Sequence, residues 1–122
     1  MPLLEVEIVD HPDLSLPADA AQRVADAVGE LLGAPPGRTW VRLRRIPRED
    51  YAENGGPLEP EIAPVFVRLL EADPPEGAVR AARSPELARA LGGALRRPAS
   101  CVHVLLEPAA RGRIAFGGRP VE

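Results

Sequence analysis

The feature that most constrains this chain is a weak internal repeat whose spacing is about half of the chain length. Three short segments return in the same order roughly 62 residues further on: Pro2–Leu4 as Pro64–Phe66, Val41–Leu43 as Val102–Val104, and Gly55–Gly56 as Gly117–Gly118. Each match is weak alone, but their common order and spacing indicate a duplicated unit. We therefore interpret residues 1–122 as one domain made of two repeats, about 2–59 and 64–122.

The first repeat predicts the order strand, helix, strand. Apolar and acidic residues alternate over 3–9, which is typical of a half-buried strand. A helix is predicted from Pro17 to Leu32, with Gly33 as its C-cap. The residues that form its apolar stripe are Ala21, Val24, Ala25, Val28, Leu31 and Leu32. Trp40–Ile46 is the second predicted strand.

The second repeat predicts the same order with a less regular helix. The predicted strands are Val65 to Leu70 and Cys101 to Glu107. A helix start is predicted at Ser84–Glu86, followed by the apolar stripe Leu87, Leu91, Ala94 and Leu95. We expect residues 75–83 to form a separate turn or a kinked first half, because a proline inside a helix costs roughly 3 kcal/mol. The tails, 48–62 and 108–122, are expected to carry short ribbons.

This order of elements predicts an α/β (α+β) fold made of two βαβ units in tandem. A strand–helix–strand crossover within one sheet is right-handed and makes its two strands parallel. Two such units give a four-stranded sheet with two helices on one face. The opposite face carries Val, Leu and Arg residues with no helix left to cover it, which favours self-association.

Composition excludes several classes of function. Fifteen basic residues against 18 acidic ones give a net charge of −3, so no nucleic-acid partner is predicted. All of the basic residues are arginine, which rules out a lysine Schiff base. One cysteine and two histidines predict neither a metal site nor a disulfide, and no cofactor is predicted. Without a secretory signal or an apolar run of about 18 residues, we expect a cytoplasmic protein with no membrane partner.

Pro2 is the sharpest chemical feature of the sequence. Initiator methionine is normally removed before a small second residue, which would leave Pro2 with a free secondary amine. The reference pKa of an α-amino group is about 7.7–8.0, and an apolar pocket or nearby arginines lower it. A base poised near working pH is what proton abstraction beside a carbonyl requires. The simpler interpretation is that Pro2 only precedes a strand.

A wider pattern surrounds this proline. A proline opens the first strand, a helix follows, the next strand contains Val-Arg-Leu, and an aromatic residue precedes Gly-Gly. The segment 107–118 matches a tail of small, basic, Gly, basic and aromatic residues that ends in Gly-Gly. Together these motifs, over essentially the whole chain, resemble the tautomerase superfamily. The closest pattern is a fused, two-copy form of 4-oxalocrotonate tautomerase, and the chain length also suits the macrophage migration inhibitory factor branch.

The resemblance implies a site, a substrate class and an assembly. Pro2 would be the base acting on a small 2-keto or 2-hydroxy-enoic acid in a homotrimer. The residues that the pattern and the basic cluster make candidates for binding this small-molecule substrate are Arg42, Arg44, Tyr51, His103, Arg113 and Phe116. Arg42 matches the superfamily's second-strand arginine, and His103 takes that position in the second repeat. Pro64 is internal, so its nitrogen is an amide and cannot act as a base.

Other interpretations remain open on the sequence alone. The superfamily's arginine after the first strand is absent, since Pro12 and Pro74 stand there, which argues against a dicarboxylate substrate.

Arg42 and Arg44 share one face of the predicted strand, where they either bind a carboxylate or pair with the glutamates of the first strand. His103 is expected to be a hydrogen-bonded interior residue more than a catalyst. Decarboxylation or water addition with the same proline is a further possibility. A non-enzymatic ligand-binding or regulatory module, ferredoxin-like or an inactive tautomerase scaffold, is the alternative from another class.

Overall fold

The computed structural model describes residues 2–121. Met1 and Glu122 lie outside the described residues, so the structure does not bear on the expected removal of Met1. In chain order the elements are β1 Pro2–Val9, α1 Ala20–Leu32, β2 Trp40–Ile46, β3 Val65–Glu71, α2 Gly77–Leu95, β4 Val102–Leu106, β5 Ala115–Phe116 and β6 Arg119–Pro120. Short 3-10 turns occupy Arg48–Asp50 and Ala99–Cys101.

The first four strands form one mixed sheet in the order β2-β1-β3-β4. Within each βαβ unit the two strands are parallel, and the units meet through the antiparallel pair β1–β3. Both helices pack on the same face of this sheet, as predicted. No helix in the described part of the chain is long and apolar enough to cross a membrane.

Strand alternation builds the core. In β1 and β3 every second residue is fully buried, namely Leu4, Val6, Ile8, Val65, Val67 and Leu69. These side chains pack against Val24 and Val28 of α1 and against Leu87, Leu91 and Leu95 of α2. Because successive strand residues point to opposite faces, the remaining residues of these strands form a second face without helices. We call this second surface the open face.

A helix start at Ser84–Glu86 is wrong, and of the two expectations for residues 75–83 the structure shows a first half of the helix and not a separate turn. The helix starts at Gly77 and continues through Pro85. Pro85 has no N–H to bond the carbonyl of Ala81, but both residues are exposed, so water can satisfy that carbonyl. Burial of three leucines further along α2 then outweighs the local penalty.

Smaller differences concern element ends. The first helix begins at Ala20 and not at Pro17, and it buries Ala20 where Ala21 was expected. Gly33 is its C-cap, as predicted, with φ of 65° in the left-handed region. Cys101 closes a 3-10 turn, so the last long strand begins at Val102. In segment 48–62 the described residues form no strand, whereas the expected ribbon near the C-terminus is present as β5 and β6.

Candidate active site

Pro2 lies buried at the first position of an inner strand. It starts the row of β1 residues that faces the helices, followed by Leu4. Opposite Pro2 in the antiparallel register is Glu71, the last residue of β3. On the other side, the first residue of β2, Trp40, pairs with Leu3. We call this edge of the sheet the Pro2 end.

Glu71 is held by an arginine from α2. Nη1 of Arg83 donates to Oε1 of Glu71 at 2.7 Å, and the two side chains are 13% and 18% exposed. The backbone N–H of Ala110 donates to the Glu71 carbonyl at 3.0 Å, so the segment after β4 passes this point. Sequence reasoning missed both residues. Glu71 could have been found from the sequence, because it continues the alternation of Val65, Val67 and Leu69, which face the helices.

An aromatic pair lies at the same end of the sheet. The rings of Trp40 and Phe116 meet edge to face, with centroids 4.8 Å apart and an interplanar angle of 72°. The short ribbon of β5 and β6 therefore folds back onto the start of β2. With Leu3 and Leu70 in register beside Trp40, the open face is apolar at the Pro2 end.

The middle of the open face is a row of charges. Arg42, Glu5 and Arg68 are in register across three strands, and β4 adds Leu105. The guanidinium of Arg42 forms an ion pair with Glu5. Nε of Arg68 donates to Glu107 at 2.7 Å, and this hydrogen bond raises the pKa of Arg68. The predicted pairing of strand arginines with first-strand glutamates is therefore present for Arg42.

The third row of the open face combines charges with aromatic rings. Arg44, Glu7, Phe66 and His103 lie in register there. The His103 ring lies 5.3 Å from Phe66, and the Tyr51 ring lies 5.8 Å from Phe66 on centroid distances. The hydroxyl of Tyr51 donates to Glu53 at 2.7 Å, which raises the pKa of Tyr51. His103 is exposed, so the prediction of an interior histidine is wrong.

These two rows line a shallow depression of about 560 Å³. Its walls carry both signs of charge from Arg42, Arg44 and Glu7, and its floor includes Phe66. Such a surface can hold a small anion with an apolar part. Among residues 2–121, no three His, Cys, Asp or Glu side chains are grouped so as to hold a metal ion.

The opposite edge of the sheet, which we call the Pro64 end, has a different chemistry. The carbonyl of Pro64 accepts from the N–H of Val9 at 3.0 Å. Nη1 of Arg97, a residue only 5% exposed, donates to the carbonyls of Val9 and Ala63 at 3.0 Å each. Burial lowers the pKa of Arg97. A side chain at Gly92 would bring its Cβ to 2.8 Å from the Arg97 carbonyl, so the turn that returns Arg97 to the sheet needs a glycine.

Solved structures share this architecture over nearly the whole chain. A fused 4-OT, solved as a symmetric trimer, covers 98% of this chain and 94% of its own, with 20% identity and a TM-score of 0.71. Pt0534 inactivated by 2-oxo-3-pentynoate covers 98% and 96%, with 19% identity and a TM-score of 0.75. The macrophage migration inhibitory factor from Trichinella spiralis covers 97% and 98%, with 14% identity and a TM-score of 0.72.

The chain has the tautomerase-superfamily fold. No family model matches the sequence, and no curated protein matches it either. The expected two-unit, fused 4-OT-like architecture is thus confirmed at the level of structure, at identities that show the fold alone.

Within this tautomerase fold, one chain does not bring all of the predicted site residues together. Arg42 pairs with Glu5, three residues along β1 from Pro2, which is about 10 Å at strand spacing. Alternation also places Arg42 on the open face and Pro2 on the helix-facing side. Phe116 lies at the Pro2 end, whereas Tyr51 lies toward the Pro64 end.

The remaining predicted binding residues divide between two places. Arg44 and His103 share the third row of the open face. Arg113 lies between β4 and β5, where its Nη1 donates to the carbonyl of Ala109 at 3.2 Å. The described chain therefore places Pro2 and the strand arginines Arg42 and Arg44 on opposite faces of the sheet.

Proposed function

We propose that this protein is a tautomerase whose general base is the secondary amine of Pro2, exposed by removal of Met1. The observation that carries the proposal is the burial of Pro2 at the first position of an inner strand of a tautomerase fold. In the reaction, the neutral amine takes a proton from the carbon next to the carbonyl of a 2-keto acid, or from the 2-hydroxyl of a 2-hydroxy-enoic acid. The substrate becomes an enolate or a dienolate, and the proline ammonium returns the proton to another atom. No atoms or electrons are gained or lost.

The surroundings of Pro2 support a neutral amine. Its own side of the sheet continues into Leu4 and the apolar core, which disfavours a charged ammonium. A lowered pKa makes the amine available as a base near neutral pH. The substrate class we propose is a small 2-keto or 2-hydroxy-enoic acid, in which the acidic proton lies on the carbon next to the carbonyl of the keto form or on the hydroxyl of the enol form.

The dienolate needs a cation, and we propose that Arg42 supplies it. A guanidinium presents a planar fork of donors that suits a carboxylate or an enolate oxygen. Glu5 already holds this guanidinium, so the substrate would have to replace that carboxylate. Arg44, Tyr51, His103, Arg113 and Phe116 are proposed to bind the rest of the substrate.

Because Pro2 and Arg42 of one chain lie on opposite faces, we propose that the site is completed in a homotrimer. Exposed apolar side chains on the open face support a contact between copies: Trp40 is 50% exposed and Leu105 is 54% exposed. Two fused 4-OT structures with this fold are trimers, one symmetric and one asymmetric. Sedimentation equilibrium at micromolar concentration tests this part, and a stable monomer would contradict it.

One observation favours a second candidate, a non-enzymatic ligand-binding module on the same fold. The Arg42–Glu5 ion pair occupies the guanidinium that the catalytic interpretation needs. A binding module predicts ligand affinity on the open face without turnover. The related chemistries, decarboxylation and water addition, use a protonated Pro2 and predict activity that falls as pH rises.

The experiment that separates these functions is a substrate screen with a matched variant. Phenylpyruvate and 2-hydroxymuconate are offered to the wild-type protein and to Pro2→Ala, after intact mass has shown that both lack Met1. Turnover that depends on Pro2 supports the tautomerase. Binding without turnover in either protein supports the module.

A further inference from the structure

One ion pair of this protein differs from the others in its burial. The Glu71–Arg83 pair joins β3 to α2 with both side chains less than one-fifth exposed. In every other ion pair among residues 2–121, one partner is more than half exposed. Burying two charges costs desolvation that their attraction often fails to recover, so such a pair is a poor device for stability. Its position is more informative.

The pair lies beside Pro2. Pro2 and Glu71 are directly opposite in an antiparallel pair, so their side chains point to the same face. Opposed residues in such pairs have Cβ atoms about 4.5–5.5 Å apart. The register therefore makes Glu71 the carboxylate next to Pro2 on this face, and an opposite charge within about 4–6 Å of an amine favours its ammonium form unless another charge cancels it. Arg83, at 2.7 Å from the carboxylate, is that charge.

Other charges near the Pro2 end are weaker influences. Arg111 and Asp73 form an ion pair between the segments that follow β4 and β3, with side chains 47% and 61% exposed, so water screens it. From β2 the neighbouring residue is Trp40, and the residues that α1 buries are Ala20, Val24 and Val28, while its Arg23 donates to the carbonyl of Ala94 in α2. Glu71 and Arg83 are therefore the least screened charges facing Pro2 from β3 and α2.

We propose that Glu71 and Arg83 are positioning residues that together set the protonation of the Pro2 amine, with Arg83 cancelling the carboxylate that would otherwise hold the amine as an ammonium. This inference rests on the proposed function, since it takes Pro2 as the N-terminal residue. It goes beyond that function because it assigns Glu71 and Arg83 opposite effects on the pKa of the Pro2 amine. If the ion pair had only a structural role, removing either charge would not shift this pKa in opposite directions.

The two single variants are expected to move Pro2 in opposite directions. In Arg83→Met the uncompensated carboxylate favours the ammonium, so the pKa of the Pro2 amine rises by about one. In Glu71→Gln the uncompensated guanidinium disfavours the ammonium, so that pKa falls by a similar amount. The double variant removes both charges, so the pKa of its Pro2 amine is expected to lie close to the wild-type value. Arg45→Met, which breaks the ion pair with Asp10 at the other end of β1, is the matched control and is expected to leave the pKa of the Pro2 amine unchanged.

The chain offers a direct probe of this amine. It contains no lysine, so the N-terminal nitrogen is its only amine. Only the neutral form of an amine attacks phenyl isothiocyanate, so the labelling rate as a function of pH reports the pKa of that nitrogen. Peptide mass spectrometry shows which residue carries the label. The probe needs no substrate and no activity.

Opposite displacements of about one pH unit in Arg83→Met and Glu71→Gln, with recovery in the double variant, support the proposal. Labelling of Pro2 with midpoints that coincide in all variants overturns it while leaving the proline base intact. Labelling of Met1 overturns both the inference and the proposed function. If Arg83→Met does not fold, Glu71→Gln keeps the size of the side chain, and an unmoved or raised midpoint in that variant alone contradicts the proposal.

Discussion

The two ends of the sheet are built from repeated sequence, yet they hold different groups. At the Pro2 end, a buried proline opens β1 next to the paired charges of Glu71 and Arg83. At the Pro64 end, the corresponding proline precedes β3, and buried Arg97 donates to two backbone carbonyls and forms no ion pair with a carboxylate among residues 2–121. An internal proline nitrogen is an amide and accepts no proton. The comparison shows an ion pair next to the first proline and an arginine that holds the backbone near the second.

The largest expected effect tests this contrast with two matched prolines. Pro2→Ala replaces a secondary amine by a primary one and is expected to lower kcat/KM by about 10²-fold, the usual scale for a general base. Pro64→Ala is expected to keep activity and to change stability by less than about 1 kcal/mol, because alanine keeps the carbonyl that Val9 uses. Steady-state kinetics on both, with intact mass as the check on processing, measure the difference. Equal activities would contradict it.

A second comparison concerns the arginines of β2. Arg42→Ala removes a charge-assisted hydrogen bond worth about 1.5–3 kcal/mol, so we expect a roughly 10- to 150-fold loss in kcat/KM for a carboxylate substrate. A loss in kcat indicates a role in the transition state, and a rise in KM indicates uniform binding. Arg44→Ala, from the next row of the same face, is measured side by side for comparison. Small, equal effects would mean that neither arginine binds the substrate carboxylate. His103 and Arg113 would then be the next candidates for that role.

At the Pro64 end, the expected effect is on stability alone. Arg97→Met leaves the carbonyls of Val9 and Ala63 without their donor, partly offset by removal of a buried cation, for a net loss of about 2 kcal/mol in the free energy of unfolding. Arg89→Met on the exposed side of α2 is the control, with a change within about 0.5 kcal/mol. Urea denaturation measures both. Loss of activity in a fully stable Arg97→Met would place a functional site at this end.

The smallest expected effect is a pH dependence at the Pro2 end. The hydrogen bond from Arg111 holds the pKa of Asp73 below its usual value. The pair therefore stabilises the folded state above the unfolded pKa of about 3.9 and loses that contribution as pH falls through the lower, folded value. Asp73→Asn is expected to flatten the acid limb of stability between about pH 5 and pH 2. Urea midpoints across that range test it, and superimposable curves would count against the pair.

Local pattern was sufficient for most of the fold. Alternation in β1 and the apolar stripe with Gly33 in α1 are properties of consecutive residues, so they are visible without the structure. The start of α2 was not visible, because the cost of Pro85 is local whereas the leucine burial that outweighs it is tertiary. A rule about single residues cannot compare the local cost of Pro85 with the free energy gained by burying the leucines of α2.

The candidate site was less predictable than the fold. Pro2 and Arg42 follow from motif and register, but their separation onto opposite faces is a consequence of strand parity and pairing. The Glu71–Arg83 contact joins β3 to the segment 75–83, for which the sequence left a turn and a kinked first half of the helix both open, so the sequence did not identify Arg83 as the partner of Glu71. Likewise, Phe116 reaches Trp40 only because the C-terminal ribbon folds back across the sheet.

The most direct test of the central claim is a titration of the Pro2 nitrogen by NMR on protein labelled with 15N-proline. The claim predicts that this one proline nitrogen titrates, with a pKa below the 7.7–8.0 of an ordinary α-amino group. It also predicts that the Pro64 nitrogen, an amide in the same position of the second repeat, does not move with pH. A Pro2 nitrogen that behaves like that of Pro64 would contradict the claim.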